Sequence, residues 1–203
     1  MSSYTVIISN KINSFDPHKV FFANDFLDIA SNASARQILK RLADEEKIKR
    51  VIDGFYYNPR YSELIGEYEA APIHELARAI ARKYNWNIAP HGSTALNLLG
   101  LSTQVPTHYT YISSGRYKTY KIADTVLEFK KVHPGEIANM SLKTATVIQA
   151  IKSLGKEHIN DQVVQKIREN LTHKERKDLM NESKSVSAWI YEVIREICEG
   201  EHE

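Results

Sequence analysis

The sequence predicts an α+β fold with two parts. An N-terminal winged helix-turn-helix is followed by an α+β domain, which has a small, mostly antiparallel sheet and a helical C-terminal tail. Helical patterns lead into a β-hairpin signal before residue 60, β-prone runs alternate with turns over 86–132, and helical periodicity continues from 142. The predicted division is a winged helix over 1–60, a connector over 61–71 and the second domain over 72–203, whose C-terminal helices cover about 142–199.

The first 46 residues contain three predicted helices. A short second helix is expected to begin at Asn24, a good N-cap, and to run through Ile29. A third, from about 34 to 46, turns apolar side chains inward and basic ones outward. The first helix has one apolar face, formed by Tyr4, Ile8, Ile12 and Phe15.

A β-hairpin is predicted directly after the third helix. The β-prone runs 48–52 and 55–57 are separated by Asp53-Gly54, a dipeptide typical of a type I′ turn with positive φ at both central residues. The order of three short helices and a hairpin is that of a winged helix-turn-helix.

The second domain combines short strands with helices. An amphipathic helix is expected to start at Pro72, and a brief helix opened by Gly92-Ser93 should end at a left-handed Gly100. Asn160 is predicted to cap one later helix, and Thr172 with Glu175 forms a capping box for another. Strands are expected near 86–89, 108–112, 117–122 and 126–132.

The amino-acid composition limits the classes of protein to which the chain can belong. The chain has 203 residues, 42% of them apolar and 26% charged, which is typical of a globular protein. No apolar run approaches the roughly 18–20 residues of a membrane span, and no secretory signal pattern is present, so a cytoplasmic protein without membrane contact is expected. The single cysteine, Cys198, excludes an intrachain disulfide and a cysteine zinc cluster, and we expect no metal and no cofactor.

The net charge of +2 is unevenly distributed. Residues 61–77 carry −4, whereas residues 78–132 carry +6. Such a basic excess is expected for a protein that binds a polyanion, although a solvated lysine-rich surface has the same composition. The sequence does not decide whether this basic segment would bind DNA or protein.

The third helix carries the candidate DNA contacts. In a winged helix-turn-helix this helix enters the major groove, where arginine reads guanine, glutamine reads adenine and lysine binds phosphate. Alternatively, Ser34 and Gln37 form a local capping box, the basic residues serve solubility, or the winged helix binds protein. The candidates are Ser34, Arg36, Gln37, Lys40 and Arg41 on the helix, with Lys49 and Arg50 in the wing.

Evidence for an enzyme is weak, and we expect none. No histidine or cysteine spacing is typical of a metal or nucleophile site. Gly92-Ser93 resembles the start of a nucleotidyltransferase site, which would also need paired carboxylates; Asp124 and Glu128 are expected on one strand face. A plain N-cap explains Ser93 better. His74 and His108 are interpreted as partly buried structural residues, and Cys198 as a small core residue.

Four segments carry a resemblance to a known family. They are FFANDF (21–26), ASARQILKRLADEEKIKRV (33–51), GFYYNP (54–59) and APHGSTALNLLGLSTQVPTHYTYIS (89–113). The first three resemble the winged-helix head, and the fourth resembles the second-domain motif, of AbiEi-like antitoxins, which belong to the type IV toxin–antitoxin, or abortive-infection, systems of bacterial phage defence. The resemblance covers most of residues 4–132 and becomes loose over the helical tail, where this chain is shorter than typical members.

The resemblance implies a protein with two activities. Its winged helix would bind inverted repeats of double-stranded DNA in its own promoter, with two copies per operator, and repress the operon; its second domain would counter a nucleotidyltransferase toxin. By position, Arg36, Gln37, Lys40, Arg41, Arg50 and Tyr57 match the DNA-binding residues. The region for the toxin or another partner is His91, Gly92, Ser93, Thr94, Asn97 and Gln104. The alternative is a stand-alone transcriptional regulator or a partner-binding module.

Overall fold

The structure is a computed structural model that describes residues 3–199. Its contacts divide the chain into two compact units, Met1–Asn85 and Trp86–Glu203, called here the N-terminal and the C-terminal unit. Both units combine helices with small sheets, which confirms the predicted α+β class.

From residue 3 onward, the N-terminal unit has three α-helices, a 3-10 helix and five short strands. Strands β1, β3 and β2 form an antiparallel sheet in that order, and β4 pairs with β5 as a separate hairpin. The elements are α1 (Ser3–Asn13), β1 (Val20–Phe21), a 3-10 helix (Ala23–Phe26), α2 (Asn32–Asp44), β2 (Lys49–Ile52), β3 (Phe55–Tyr57), β4 (Tyr61–Ser62), β5 (Glu67–Tyr68) and α3 (Ile73–Tyr84).

The core of this unit differs from the prediction at both of the first two helices. Thr5 rather than Tyr4 joins Ile8 and Ile12 on the buried face of α1, since Tyr4 is exposed. The predicted second helix is only the 3-10 helix: the amide of Asp25 donates to the Phe22 carbonyl, and the amide of Phe22 donates back to the Asp25 carboxylate. These i to i+3 bonds close one tight turn, which does not extend to Ile29 as an α-helix.

Helix α2 begins at a different cap from the predicted one. Ser31 is the N-cap, and its hydroxyl accepts a hydrogen bond from the Ser34 amide at 3.3 Å. The capping box proposed for Ser34 and Gln37 is therefore wrong, and Gln37 is exposed on the outer face. The apolar face is as predicted: Ala35, Ile38, Leu39 and Leu42 are buried.

The hairpin of β2 and β3 is confirmed, but its turn type is not. Gly54 has a φ of +78°, whereas Asp53 is not among the residues with positive φ. A type I′ turn needs positive φ at both positions. The register also shifts between Arg50 and Ile52, so a bulge accommodates the two-residue turn.

Helix α3 belongs to the N-terminal unit, although it was predicted to be part of the second domain. It begins at Ile73 after an N-cap at Pro72, one residue later than expected, and it packs on β1. Arg82 donates to the Val20 carbonyl at 2.8 Å and lies 3.3 Å from the Asp25 carboxylate. The predicted connector 61–71 contains the β4–β5 hairpin.

The C-terminal unit is a four-stranded sheet followed by a helical bundle. Its strand order is β6-β7-β9-β8. The elements are β6 (Ile88–Pro90), α4 (Ser93–Leu98), β7 (His108–Ser113), β8 (Lys118–Ile122), β9 (Thr125–Lys131), a 3-10 helix (Pro134–Glu136), α5 (Leu142–Leu154), a 3-10 helix (Lys156–His158), α6 (Asp161–Glu169), α7 (His173–Glu182) and α8 (Ala188–Glu199).

The sheet is mixed, because β7 and β9 are parallel while the other two pairings are antiparallel. The β8–β9 hairpin folds back so that β9, with the fully buried Leu127 and Phe129, takes an inner position. The edge position goes to β8, whose Lys118 and Lys121 are exposed. Charged residues on an edge strand oppose further pairing, which explains this order.

The predicted caps of the C-terminal unit are largely confirmed. Gly100 ends α4 with a φ of +65°, and the Leu101 amide folds back on the Leu96 carbonyl at 2.9 Å. Asn160 caps α6, and Thr172 with Glu175 forms a capping box on α7.

At Gly115 a Cβ atom would come within 2.1 Å of the Trp86 ring, so this loop requires glycine for close approach.

Candidate nucleic-acid interface

The outer face of α2 is open. Burial of Ala35, Ile38, Leu39 and Leu42 turns the intervening polar side chains outward, and Arg36, Gln37 and Lys40 are exposed. None of these three side chains has a hydrogen-bond or ion-pair partner within residues 3–199. Their full hydrogen-bonding capacity is available to a ligand.

These three side chains line a groove of about 670 Å³ within the N-terminal unit. Its walls are the outer face of α2, the segment 22–24 and the β2–β3 hairpin. The hairpin contributes Arg50, Asp53, Gly54 and Tyr56. The groove therefore joins the predicted recognition helix to the predicted wing.

Lys83, near the end of α3, also lines the groove. Its ammonium group lies 4.7 Å from the centre of the Phe55 ring, next to the hairpin turn. Sequence reasoning missed this residue, because only the docking of α3 on β1 brings it to the hairpin. No local pattern around residue 83 signals that contact.

The groove has an excess of positive charge. Four of its side chains are cationic and one, Asp53, is anionic. Arg50 lies over the Tyr56 ring at 5.6 Å, so both it and Lys83 rest on aromatic surfaces that restrict their orientation. The cationic side chains are Arg36, Lys40, Arg50 and Lys83.

Amide side chains add hydrogen-bonding groups to the same groove. Asn24 and Asn32 line it and are joined by a hydrogen bond of 2.6 Å from the Asn32 amide group to the Asn24 side-chain oxygen. Gln37 lies on the adjacent turn of α2. The groove thus combines cationic groups that suit phosphates with amides that suit base edges. Sequence reasoning did not place Asn24 and Asn32 in the site.

The two basic residues of β2 do not share a surface. Arg50 points into the groove, whereas the Lys49 ammonium lies 4.5 Å from the centre of the Tyr68 ring on the β4–β5 hairpin. Successive side chains of a strand point to opposite faces, which explains the separation. Lys49 was predicted as a wing contact, but it faces away from the groove.

Three other predicted DNA contacts have structural roles. Tyr57 is only 6% exposed, and its hydroxyl donates to the Glu69 carbonyl at 3.2 Å; burial raises its pKa. Arg41 donates to the Thr5 hydroxyl, and Ser34 takes part in the cap of α2. We therefore leave Tyr57 out of the contact surface and treat Arg41 and Ser34 as residues that hold α2 in place.

The second predicted region surrounds α4. The Nδ1 atom of the half-buried His91 lies 3.0 Å from the side-chain oxygen of the buried Gln149. Thr94 is fully buried and accepts a hydrogen bond from the Thr110 amide at 2.9 Å, so its hydroxyl connects α4 to β7. Asn97 donates to the carbonyl of the exposed Gln104 at 3.0 Å.

The start of α4 is built by Gly92 rather than Ser93. Gly92 is the N-cap, with a φ of +59° that favours glycine, and Ser93 is the exposed first residue of the helix. The interpretation of Ser93 as an N-cap is therefore wrong. Its hydroxyl has no hydrogen-bond partner among the residues that the structure describes.

Only one of the two carboxylates considered for nucleotide transfer lies on a strand. Glu128 is on β9, where its carboxylate lies 3.1 Å from the His108 ring and 3.6 Å from the Lys130 ammonium. Asp124 lies in the tight turn before β9, not on the strand as predicted. No group of three or more potential metal-binding side chains occurs within residues 3–199.

The remaining titratable candidates are mostly structural. Burial lowers the pKa of His74, as expected for a partly buried histidine. His108, in contrast, is exposed. Burial raises the pKa of the Cys198 thiol to about 11, which leaves it protonated and unreactive at neutral pH.

Residues 7–179 match DUF6088, described as a family of unknown function. The chain belongs to this family. A search of curated proteins found no match. The crystal structure of the RV2827C protein from Mycobacterium tuberculosis is similar to the chain at 10% identity and a TM-score of 0.43, over 98% of this chain and 77% of that one. Across residues 3–199 of this chain, no helix is both long and apolar enough to cross a bilayer.

Proposed function

We propose that the N-terminal unit is a winged helix-turn-helix that binds double-stranded DNA, with α2 as the recognition helix and the β2–β3 hairpin as the wing. The observation that carries this proposal is the groove itself. Arg36, Gln37 and Lys40 of α2 and Arg50 of the hairpin line one open, cationic groove, and the three residues of α2 have no partner among the described residues. Helix and hairpin would engage one duplex together.

The positions of the side chains suit them to different contacts with DNA. Arg36 and Gln37 lie near the N-terminal end of α2, the end of a recognition helix that faces base edges. The guanidinium can donate to guanine O6 and N7, and the glutamine amide pairs with adenine N6 and N7. Lys40, Arg50 and Lys83 supply charge for phosphates on either side.

The resemblance to AbiEi-like antitoxins supports a wider proposal. The protein would bind inverted repeats in its own promoter, with one copy on each half-site, and would counter a nucleotidyltransferase-type toxin through the C-terminal unit. The exposed Ser93 and Gln104 are the predicted partner-region residues most accessible to such a toxin, whereas Thr94 is buried. A stand-alone regulator without a toxin partner is the alternative.

DNA binding is tested by selection from random duplexes with the full chain. We expect a short motif to be enriched. Affinity for that motif should fall with added salt on a log–log slope of about −3, since three bound phosphates would each release about 0.9 counterion. If no motif is enriched and binding does not depend on salt, the proposal is wrong.

The antitoxin activity needs a separate test. A nucleotidyltransferase gene beside the gene for this chain would be expressed alone and together with it. Relief of growth arrest by the wild type, and by an Arg36→Ala variant whose binding to the operator is weakened, is expected if the C-terminal unit acts on the toxin. If the protein binds DNA but co-expression gives no relief, it is a stand-alone regulator.

A further inference from the structure

The β4–β5 hairpin exposes an unusual amount of apolar surface. Leu64 is 94% exposed and Ile65 is 62% exposed at its tip, and Tyr61 and Tyr68 are each 53% exposed on its strands. A single exposed leucine needs no explanation, but four adjacent large side chains form a patch of the kind that marks an interaction surface. Residues 60–69 are called the tyrosine hairpin below.

The tyrosine hairpin has a defined conformation. The Gly66 amide donates to the Ser62 carbonyl at 2.9 Å, and the Tyr61 hydroxyl donates to the Gly66 carbonyl at 3.0 Å. The rings of Tyr61 and Tyr68 pack edge to face, with centroids 5.3 Å apart. A patch that is already ordered loses little entropy when it binds a partner.

The base of the hairpin is anchored to the N-terminal unit. Glu69 makes two of the anchoring contacts: its carbonyl accepts from the Tyr57 hydroxyl at 3.2 Å, and its carboxylate lies 2.7 Å from the His18 ring. Lys49 packs on Tyr68. The exposed tip therefore has a fixed position relative to the DNA-binding groove of the same unit.

We propose that the tyrosine hairpin is the contact between two copies of this chain. Its charged side chains allow partial pairing between copies: Glu63 and Glu67 are exposed beside the apolar tip, Arg60 is exposed at its base, and none of the three has an ion-pair partner within residues 3–199. A twofold contact brings the same patch of each copy together, so the carboxylates of one copy can face the guanidinium of the other. Leu64 and Ile65 are then covered by the other copy.

The exposed area fits a weak contact. The four apolar side chains of both copies would bury on the order of 1,000 Å², below the roughly 1,200–2,000 Å² of stable complexes. Such a pair forms mainly at high concentration or when a common partner holds the two copies together. Two half-sites of one operator would hold two copies together in this way. In this respect the proposed contact adds to the proposed function.

Pairing through the hairpin leaves the groove open. Arg50 points into the groove, and its neighbour Lys49 points to the opposite face of β2, where it contacts Tyr68 of the hairpin. One copy can therefore hold DNA on one side of the sheet and its partner copy on the other.

Sedimentation equilibrium of the full chain tests the proposal without DNA, at concentrations up to about 1 mM, where weak pairs are populated. We expect reversible dimers of the wild type. The Leu64→Asp/Ile65→Asp variant should pair at least about ten-fold more weakly, a change of about 1.4 kcal/mol. Leu64 is almost fully exposed, so this variant should still fold. Val105→Asp is the matched control, because Val105 is 78% exposed in the C-terminal unit.

Reversing the charges of the tyrosine hairpin gives a second test of the proposed pairing. Arg60→Glu should weaken pairing, and adding Glu63→Arg and Glu67→Arg to the same chain should restore it. A wild type that stays monomeric throughout, equal losses in the Val105→Asp control, or no rescue by the triple reversal would each overturn the proposal. A monomeric wild type would indicate that the hairpin serves a different protein.

A DNA arm separates this inference from the proposed function. On a duplex with two selected half-sites, the wild type should bind cooperatively, whereas Leu64→Asp/Ile65→Asp should bind each half-site with unchanged affinity and without cooperativity. Loss of half-site affinity in that variant would contradict the inference. Dimers in sedimentation together with no DNA binding would support the inference and contradict the proposed function.

Discussion

Arg36 and Arg41 lie five residues apart on one helix, yet their side chains have different surroundings. Arg41 donates to the Thr5 hydroxyl of α1 and lies 3.9 Å from the Glu45 carboxylate, so it joins two helices. Arg36 lines the groove and has no partner among the described residues. A basic residue on an outward helix position is therefore not by itself a DNA contact. What decides its role is whether its donors are already used.

At this scale we predict different effects for Arg36 and Lys83. Arg36→Ala should cost about 1–3 kcal/mol on the selected duplex and little on random DNA, because a guanidinium that reads a base contributes only at that base. Lys83→Ala should weaken binding to both duplexes and reduce the salt slope by about 1, because it removes a phosphate contact. Fluorescence anisotropy titrations at several salt concentrations measure both effects.

Arg195→Ala is the control, since Arg195 is an exposed arginine on α8 of the C-terminal unit. It should leave both affinities unchanged. Equal losses for Arg36→Ala on selected and random DNA would instead assign Arg36 to the phosphate backbone.

At the scale of the element, the caps decide where helices begin and which side chains they present. Ser31 caps α2 five residues before Arg36 and so holds the N-terminal turn of the helix that presents Arg36 and Lys40 to the groove. Ser93, in contrast, starts α4 without a cap bond, because Gly92 takes that position. The two serines look alike in the sequence and differ in the structure.

Ser31→Ala should therefore destabilise α2 by about 1 kcal/mol, through the loss of the bond to the Ser34 amide. Hydrogen exchange of the amides over 32–44 should become faster, and this local measurement needs no two-state unfolding of a two-unit chain. Ser93→Ala is the matched variant and should change the exchange of α4 little. If the two variants behave alike, the assignment of the caps is wrong.

Glu182 connects two elements of the C-terminal unit. Its carboxylate accepts a hydrogen bond from the Ser141 amide, at the start of α5, at 2.8 Å. Burial alone would raise the pKa of Glu182, but hydrogen bonds from Thr144 and Ser141 outweigh it and lower that pKa below its usual value of 4.5. Since the folded-state pKa is depressed, the stabilisation is complete above the usual pKa and is lost as the pH falls through the lowered one.

We expect Glu182→Gln to make the stability of the C-terminal unit less dependent on pH below about 4.5. Both tryptophans, Trp86 and Trp189, lie in this unit, so their fluorescence in urea titrations at several pH values reports on it. Glu157→Gln, at an exposed glutamate, should keep the wild-type pH dependence. An unchanged pH dependence in Glu182→Gln would contradict the assigned role.

At the scale of the whole molecule, features that depend on neighbouring residues could be predicted from the sequence. The pairing and packing of segments that are distant in the sequence could not. The β2–β3 hairpin, the caps at Asn160 and Thr172, and the apolar face of α2 follow from neighbouring residues, and the structure confirms them. The parallel pairing of β7 and β9 depends on residues that are distant in sequence, and sequence periodicity carries no information about it.

The candidate site shows the same division. Arg36, Gln37, Lys40 and Arg50 were predicted from the order of helices and hairpin, and all four line the groove. Lys83 was missed because α3 reaches the hairpin only through its packing on β1. Tyr57 was overestimated because its side chain is buried and its hydroxyl donates a hydrogen bond to the carbonyl of Glu69, twelve residues away.

The most direct test of the account compares two triple variants of the full chain on the selected duplex. Arg36→Ala/Lys40→Ala/Arg50→Ala empties the groove of three cations, and Lys152→Ala/Lys156→Ala/Arg195→Ala removes three exposed cations from the C-terminal unit. With both variants folded by circular dichroism, we expect the groove variant to bind at least about 100-fold more weakly and the control to bind like the wild type. Equal affinities of the two variants would contradict the claim that this groove binds DNA.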